Sequence, residues 1–550
     1  METKKRVLIV GGVAAGASAA ARLRRMDETC EIVLFDKGKY VSFANCGLPY
    51  YVGDVILDEK KLLLATPQLF QERFNIQVKV EHEVTKIDRA AKTIEVKSAQ
   101  GVTREPYDVL VLAPGAAPLR PPLPGLDLPG IFVVRNIPDT RLIRGWIESK
   151  QAKRAVVVGA GFIGLEMAEN LKLRGLEVTI LEAGLQALPP LDPEMAVFVH
   201  QHLKKHGVDL QLGDPVASFV PTASGLSVRT KAGQAYGADL VIFSIGVKPE
   251  TALAKAAGIE LGSLGGIKVD DQMRTSDPSI FAVGDVVEVK DFVTGLGTLI
   301  PLAGPANRQG RLVADAIAGK PRSFRGVQAT AVCGFFGLTA ALTGATEKTL
   351  KRAGITDYGR VYLHPGNHAA YYPGAKPIHM KLLFDRKDGR VLGAQAVGEE
   401  GVEKRIDVLA MAIQMKAQVR DLEEAELCYA PQFGAAKDPI NVAGMIASNL
   451  QRGDVVAAPW EGLADPGTRT ILDVRDPQEF KAGHLDGAVN IPLNDLRARM
   501  GELDKSMEVW VNCGVGQRSY YAVRTLRQNG FNAQNLPGGY QTYRMFHPVD

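Results

Sequence analysis

Short apolar runs separated by glycine turns and amphipathic stretches set the pattern of the first 185 residues. Arg6 to Val10 is a β-branched run, Gly11 to Gly16 a turn, Ala17 to Arg25 a helix and Ile32 to Asp36 a second strand. The same order returns at Ala155–Val158, Gly159–Gly164, Leu165–Arg174 and Val178–Glu182. Two copies of one βαβ unit predict two nucleotide-binding domains. A third apolar strand, Ser279 to Val283, ends in Gly284-Asp285. From about Phe324 the pattern changes, with strand-like His379–Phe384 and a long helix from Val402 to Met415. Residues 451–466 read as a Gly/Pro/Ala linker, and a small α/β pattern starts at Thr470.

The chain is too long, at 550 residues, for one core. It is 46% apolar and 23% charged with a net charge of +4, which gives no basic patch to suggest nucleic acid. The five cysteines, Cys30, Cys46, Cys333, Cys428 and Cys513, are an odd and scattered set. That is a poor disulfide framework and fits a reducing cytoplasm. Lys4-Lys5-Arg6 and the apolar run behind it imitate a secretion signal, but the segment is the better nucleotide-binding strand. No apolar run has the length of a membrane helix.

Gly159-Ala160-Gly161-Phe162-Ile163-Gly164 is a full G-x-G-x-x-G between a strand and a helix. Such a turn lets a pyrophosphate approach the backbone at a helix N-terminus. Glu182 ends the following strand, where an acid accepts hydrogen bonds from a ribose diol. A carboxylate repels a 2′-phosphate, and no Arg or Lys follows before Pro190, so NADH is favoured over NADPH. The first turn keeps Gly11, Gly12, Ala15 and Gly16 but has Val13 at the middle glycine position; Asp36 supplies its acid. Two such sites imply two dinucleotides, FAD and NAD(P)H, and Gly284-Asp285 suits the ribityl chain of FAD.

Ser42-Phe43-Ala44-Asn45-Cys46-Gly47-Leu48-Pro49 follows the first acid-tipped strand and leads towards the flavin ring. A cysteine there can act as a thiolate held by nearby N–H groups. With the two glycine turns and Thr275 through Gly284-Asp285, this segment resembles the single-cysteine branch of the pyridine nucleotide–disulfide oxidoreductases. That branch comprises coenzyme A–disulfide reductases, persulfide reductases and NADH oxidases, and the resemblance runs from Lys5 to about Asn449. The usual disulfide partners are replaced by Val41 and Tyr51, so Cys46 must pair with a small thiol, become a sulfenic acid or carry a persulfide.

Ser18, Arg22 and Arg25 share one face of the first helix, where two arginines suit phosphates, though arginines near a helix C-terminus also simply favour the dipole. The resemblance makes these residues, with Ser42, Asn45, Asn307, Arg308 and Lys437, candidate coenzyme A contacts. Leu427-Cys428-Tyr429-Ala430-Pro431 resembles the family's dimerisation signature, in which a tyrosine reaches the partner's flavin site. Tyr429 is the first candidate and Tyr372 the second; Cys428 is read as structural. His200, His202 and His206 are read as a solvated helix face rather than a metal site.

Near the C-terminus, Cys513-Gly514-Val515-Gly516-Gln517-Arg518 follows a strand and opens a helix. Its N–H groups form a cradle for a thiolate or persulfide, and Arg518 adds charge at the rim. With Asp473-Val474-Arg475 and Gly483-His484 it resembles a single-domain rhodanese over roughly Val455 to Asp550. The predicted architecture is α/β. Two doubly wound Rossmann-like domains bind FAD (1–112 and 250–323) and NAD(P)H (113–249). An α+β dimerisation domain (324–450), the linker and a rhodanese domain (467–550) follow.

The leading functional expectation is an FAD-dependent NADH:persulfide, polysulfide or coenzyme A–disulfide reductase acting through Cys46, with Cys513 carrying sulfane sulfur, as a cytoplasmic homodimer. The alternatives are an NADH oxidase or peroxidase cycling Cys46 through a sulfenic acid, and a redox-sensing or sulfur-delivery protein with little turnover.

Overall fold

The computed structural model describes residues 4–464, 467 and 469–548. Asp465 and Pro466 of the predicted linker, and the outermost residues of the first and last predicted domains, lie outside the described residues. The chain divides into two compact units: Met1–Ala187 with Lys204–Ala329, and Leu188–Leu203 with Thr330–Asp550.

The first unit holds two parallel five-stranded sheets. One runs Ile280–Ala282, Val109–Leu112, Arg6–Val10, Glu31–Asp36, Gln77–Val80. The other runs Asp209–Leu212, Glu177–Glu182, Arg154–Val158, Leu240–Phe243, Ile131–Phe132. Their strands are apolar on both faces because both faces are covered, in the second sheet partly by a three-stranded antiparallel sheet whose Phe219, Leu226 and Val228 pack on Val156, Val158 and Val241; in the first, Val7, Leu8, Ile9, Val33 and Leu34 are fully buried. In each sheet the chain order reverses at the strand that carries the glycine turn. This opens a crevice at the strands' C-terminal ends.

The helices begin sooner than the residue pattern predicts. The first spans Ala14–Met26 rather than starting at Ala17, and the second spans Phe162–Leu173. The last glycine of each turn therefore lies in a helix. A Cβ on Gly16 would meet the Gly11 carbonyl oxygen at 1.9 Å, and one on Gly164 the Gly159 carbonyl oxygen at 1.9 Å. Only glycine lets the helix start so close to the turn.

The second unit combines an antiparallel sheet with a small parallel one. The first has the order Ala331–Phe335, Leu338–Gly344, Val391–Gly398, Ile378–Asp385, Tyr358–Leu363. Helix Val402–Gln414 packs against it. The parallel sheet has the order Val489–Asn490, Arg469–Asp473, Glu508–Asn512, Ala533–Asn535. The segment predicted as a linker contributes Val455, Ala458 and Trp460 to buried positions, so most of it is packed chain.

Candidate functional site

The two nucleotide turns are built alike. Asp36 accepts from Gly12 N and Gly38 N, both at 2.8 Å, and Glu182 accepts from Ala160 N and Gly184 N, both at 2.7 Å. Each acid thus ties the turn to the end of the neighbouring strand. Gly11 (φ +97°) and Gly159 (φ +102°) press on the carbonyls of Ala113 and Ser244, where a Cβ would lie at 2.1 and 2.6 Å. At Gly161 a Cβ would meet nothing within 4 Å. The protein's own packing does not require glycine there, and the space suits a pyrophosphate at the head of helix Phe162–Leu173. Val13, the departure in the first turn, packs its side chain against the cluster of Phe43, Leu48, Leu62 and Ile137. Gly284 (φ +84°) comes within 3.1 Å of Ala15 Cβ, measured from its own would-be Cβ, which brings Asp285 to the first turn. Burial pushes the Asp36 and Asp285 carboxyls up, while Arg135 works against both shifts.

Arg135 carried no expectation from the sequence. In the amide orientation that satisfies both groups, Asn45 Oδ1 accepts from Arg135 Nη1 at 2.9 Å and its Nδ2 donates to Phe43 O at 3.1 Å. Asn45 is therefore partly engaged by the chain itself. One signal was available: Arg135 immediately precedes Asn136, the N-cap of helix Ile137–Lys150, where the helix dipole disfavours a cation.

Cys46 lies in a short 3₁₀ turn, Asn45–Gly47, and is exposed. Its sulfur is nevertheless set low among protein atoms. This partial desolvation pushes the thiol up, and the charges of Glu166 and Asp285 push it the same way. The turn's own N–H groups do not offset this, so the chain by itself opposes the thiolate expected from the sequence. Glu166 sits on helix Phe162–Leu173 of the second nucleotide site; burial, then Glu169, raises its carboxyl to about 7. Ser42 holds a left-handed φ of 49°, fixed by its N–H on Gly12 O (2.8 Å) and by Leu64 N on its carbonyl (2.9 Å).

Ser18, Arg22, Arg25, Ser42 and Asn307 line one cavity of about 440 Å³. Ser18 Oγ donates to Asn307 Oδ1 at 2.5 Å. The cavity also takes in Arg73 and Arg311, which the sequence reading missed. Asn307 and Arg311 are four residues apart on helix Ala303–Ile317, and that spacing was a readable signal. Arg308, between them, turns away and lies over the Phe324 ring at 5.4 Å. Lys437 is exposed beside Asp438, which is buried against Arg405 (2.9 Å) and caps helix Pro439–Gln451.

In the second unit Tyr429 OH hydrogen-bonds Tyr371 OH at 2.7 Å, and both are exposed. This bond is the main cause that raises the Tyr371 phenol. Tyr372, the expected second candidate, instead sets its ring edge-on to His368. Cys428 is exposed on this chain. The histidine trio is not a solvated face either. Burial lowers His200 to about 4, and His202 Nε2 lies 2.9 Å from Phe336 O. Among the described residues, the carboxylates that could gather round a cation are Asp192, Glu194 and Glu347. Their cation is Lys381, fully buried, at 2.8, 2.5 and 2.5 Å.

Cys513 is buried, and its sulfur accepts from Gly516 N at 3.1 Å and Ser519 Oγ at 3.3 Å. Gly516 takes φ +93° at the head of helix Gln517–Gln528. Arg518 is not a free charge at the rim: Glu479 holds both its terminal nitrogens at 2.7 Å. Asp473 and Arg475 form a buried pair at 2.8 Å, and Asn512 donates to Asp473 at 3.0 Å, so the Asp-Val-Arg motif braces the sheet beneath the loop.

Residues 330–438 match the pyridine nucleotide-disulphide oxidoreductase dimerisation domain and residues 457–545 the rhodanese-like domain. The crystal structure of reduced Bacillus anthracis CoADR-RHD is 45% identical, with a TM-score of 0.97 over 99% of both chains. A NAD-dependent persulfide reductase from A. fulgidus is 37% identical, with a TM-score of 0.91 over 98% of this chain and 100% of that one. Among curated relatives, the coenzyme A disulfide reductase of Staphylococcus haemolyticus is 36% identical over 81% of this chain and 100% of its own length. An NADH oxidase of Methanocaldococcus jannaschii is 39% identical over 80% and 97%. No helix among the described residues is long and apolar enough to cross a membrane. Residues 5–310 match the pyridine nucleotide-disulphide oxidoreductase profile, and the chain belongs to that family of FAD- and NADH-dependent enzymes, with a rhodanese-like domain at its C-terminus.

Proposed function

We propose that the protein is an NADH-dependent reductase of coenzyme A persulfide and related S–S compounds, with Cys46 as the attacking thiol. One observation carries this reading: the groups that act electrostatically on Cys46 are Glu166, from the helix of one nucleotide site, and Asp285, from the Gly284-Asp285 motif beside the other. Cys46 therefore sits where the two nucleotide sites converge. When bound, flavin and nicotinamide supply a two-electron path to sulfur. Cys46 as thiolate attacks the coenzyme A sulfur of CoA–S–S–H; the S–S bond breaks, HS⁻ leaves, and a Cys46–S–S–CoA disulfide forms. Two electrons and a proton then release CoA–SH and restore the thiolate. The sum is NADH, H⁺ and CoA–S–S–H giving NAD⁺, CoA–SH and H₂S.

The cavity between helices Ala14–Met26 and Ala303–Ile317 is the proposed seat of the coenzyme A phosphates, with Ser18, Arg25, Asn307, Arg73 and Arg311 as contacts. Cys513, in its amide and hydroxyl cradle, is the proposed carrier of sulfane sulfur. The dimerisation domain and the exposed Tyr371–Tyr429 pair support a homodimer, and the five free cysteines support a reducing cytoplasm.

The relative named as an NADH oxidase supports a second reading, in which Cys46 cycles through a sulfenic acid. Anaerobic NADH oxidation by wild type and Cys46→Ser separates the two. Sulfide released from coenzyme A persulfide, and lost in the variant, supports the reductase. Turnover with oxygen or peroxide alone sinks it.

A further inference from the structure

The loop that holds Cys513 is backed by the Gly538–Gly539 turn, whose other side meets the dimerisation sheet. Helix Gly539–Phe546 presents its first amides to that loop: Tyr540 N donates to Cys513 O at 2.7 Å and Gln541 N to Gly514 O at 3.0 Å. Contact is so close that a Cβ on Gly539 would lie 2.3 Å from Cys513 O and 2.9 Å from the amide nitrogens of Val515 and Gly516. Gly538 and Gly539 both adopt positive φ, at 72° and 63°, which lets the turn enter this space.

The opposite side of the same turn meets the strand Tyr358–Leu363 and the residue just after it. A Cβ on Gly538 would lie 2.9 Å from Tyr362 Cβ and 3.2 Å from His364 Nε2. His364 Nε2 is 2.8 Å from Thr542 Oγ1, and His364 Nδ1 is 2.9 Å from His379 Nδ1. The two Nδ1 atoms share one proton, so one ring donates and the other accepts. His379 in turn stacks on Phe198 at 3.8 Å between ring centres. Tyr362 sets its ring edge-on to Phe546 at 6.1 Å and donates to Glu194 at 2.9 Å. Thr542 is fully buried, so its hydroxyl has no water to replace His364.

We propose that His364, through Thr542 and the Gly538–Gly539 turn, is a positioning residue for sulfur transfer at Cys513. The dimerisation sheet holds the loop in the conformation that aims the Gly516 amide at the sulfur. The inference rests on Cys513 being the sulfur carrier. Loading from thiosulfate transfers the outer sulfur to the Cys513 thiolate, forming Cys513–S–S⁻ and releasing sulfite. Attack by cyanide on that outer sulfur then gives thiocyanate and restores the thiolate.

The test is thiosulfate-to-cyanide transfer by the full-length flavoprotein, with NADH-driven coenzyme A disulfide reduction as the internal control. Thr542→Val removes the hydroxyl in a similar volume, and Thr542→Ser restores it. The expected result is a fall in transfer kcat of roughly tenfold in Thr542→Val, with KM for thiosulfate little changed, recovery in Thr542→Ser and the control unaltered. A second pair guards against simple misfolding: His364→Gln keeps an amide within reach of Thr542, whereas His364→Asn reaches only His379. Transfer retained by His364→Gln and lost by His364→Asn supports the proposal. Wild-type transfer in both Thr542→Val and His364→Asn overturns it. Transfer that survives Cys513→Ser overturns the reading of Cys513 itself, a failure distinct from the first.

Discussion

Arg22 Nε is bonded to Asp315 Oδ1 at 2.8 Å, and the aspartate is buried. Arg22 therefore reaches the cavity already neutralised, while among the described residues no hydrogen bond or ion pair engages the guanidiniums of Arg25, Arg73 or Arg311. A phosphate entering the cavity gains most from the three unengaged guanidiniums. Arg73→Ala and Arg311→Ala should each raise KM for coenzyme A disulfide roughly tenfold, with kcat little changed. A disulfide without phosphates should show no such change. Steady-state kinetics on both substrates checks this, and equal losses on both would remove the phosphate assignment.

Turns, strands and the order of domains were legible because their signals are local. A glycine turn between a β-branched run and a helix needs only neighbours in sequence, and both turns were found where expected. What escaped depends on distant partners. Arg518 reads as a free charge until Glu479, 39 residues earlier, is folded against it. Arg73 drew no reading from the sequence, and only the fold brings it into the cavity that Arg25 also lines. The histidines read as solvated because their amphipathic helix shows one polar face. That face is covered by chain from far along the sequence, such as Phe336 at His202.

Cys46 and Glu166 should be coupled in their titration. Burial and the Glu166 carboxylate raise the thiol, so removing that charge must lower it. Glu166→Gln should shift the pH dependence of Cys46 alkylation by iodoacetamide towards lower pH. The measurement belongs in a Cys428→Ser background, because Cys428 is exposed as well. In wild type, Glu166 ionises near pH 7, so the thiol gains its carboxylate neighbour only as pH rises through that value. An unchanged alkylation profile would show that the two groups do not interact.

Tyr371 and Tyr429 share a hydrogen bond, whereas Tyr372 faces His368. If the pair supplies a proton to the leaving thiolate, Tyr429→Phe should lower kcat for coenzyme A disulfide by about tenfold or more. Tyr371→Phe should give a smaller loss, since Tyr429 keeps its own hydroxyl, and Tyr372→Phe should be close to silent. A Tyr372→Phe loss larger than that of Tyr429→Phe would reverse the ranking of the two candidates.

Lys381 is the fully buried centre of Asp192, Glu194 and Glu347, so its removal leaves three carboxylates gathered without a cation. Lys381→Met should cost about 3–5 kcal/mol, since unpaired buried charge is more costly than the lost pair was favourable. The pH dependence follows from two shifts. Burial opposes the charge on both groups, yet the ionic neighbours prevail: Lys381 is held well above 10.5 and Glu347 below 4.5. The lysine's contribution is therefore fully present below its ordinary value and is lost only as pH rises through its raised one. The glutamate's contribution is present above its ordinary value and is lost as pH falls through its lowered one. The cluster's contribution to wild-type stability should be flat between about pH 6 and 9 and fall in acid. In Lys381→Met the carboxylates repel one another, and protonating them relieves it, so the gap between the two proteins should narrow as pH falls below about 5. Urea midpoints of both proteins across this range check the sign. A gap that widens in acid would show that the carboxylates are already protonated at neutral pH and that the cluster is not ionic.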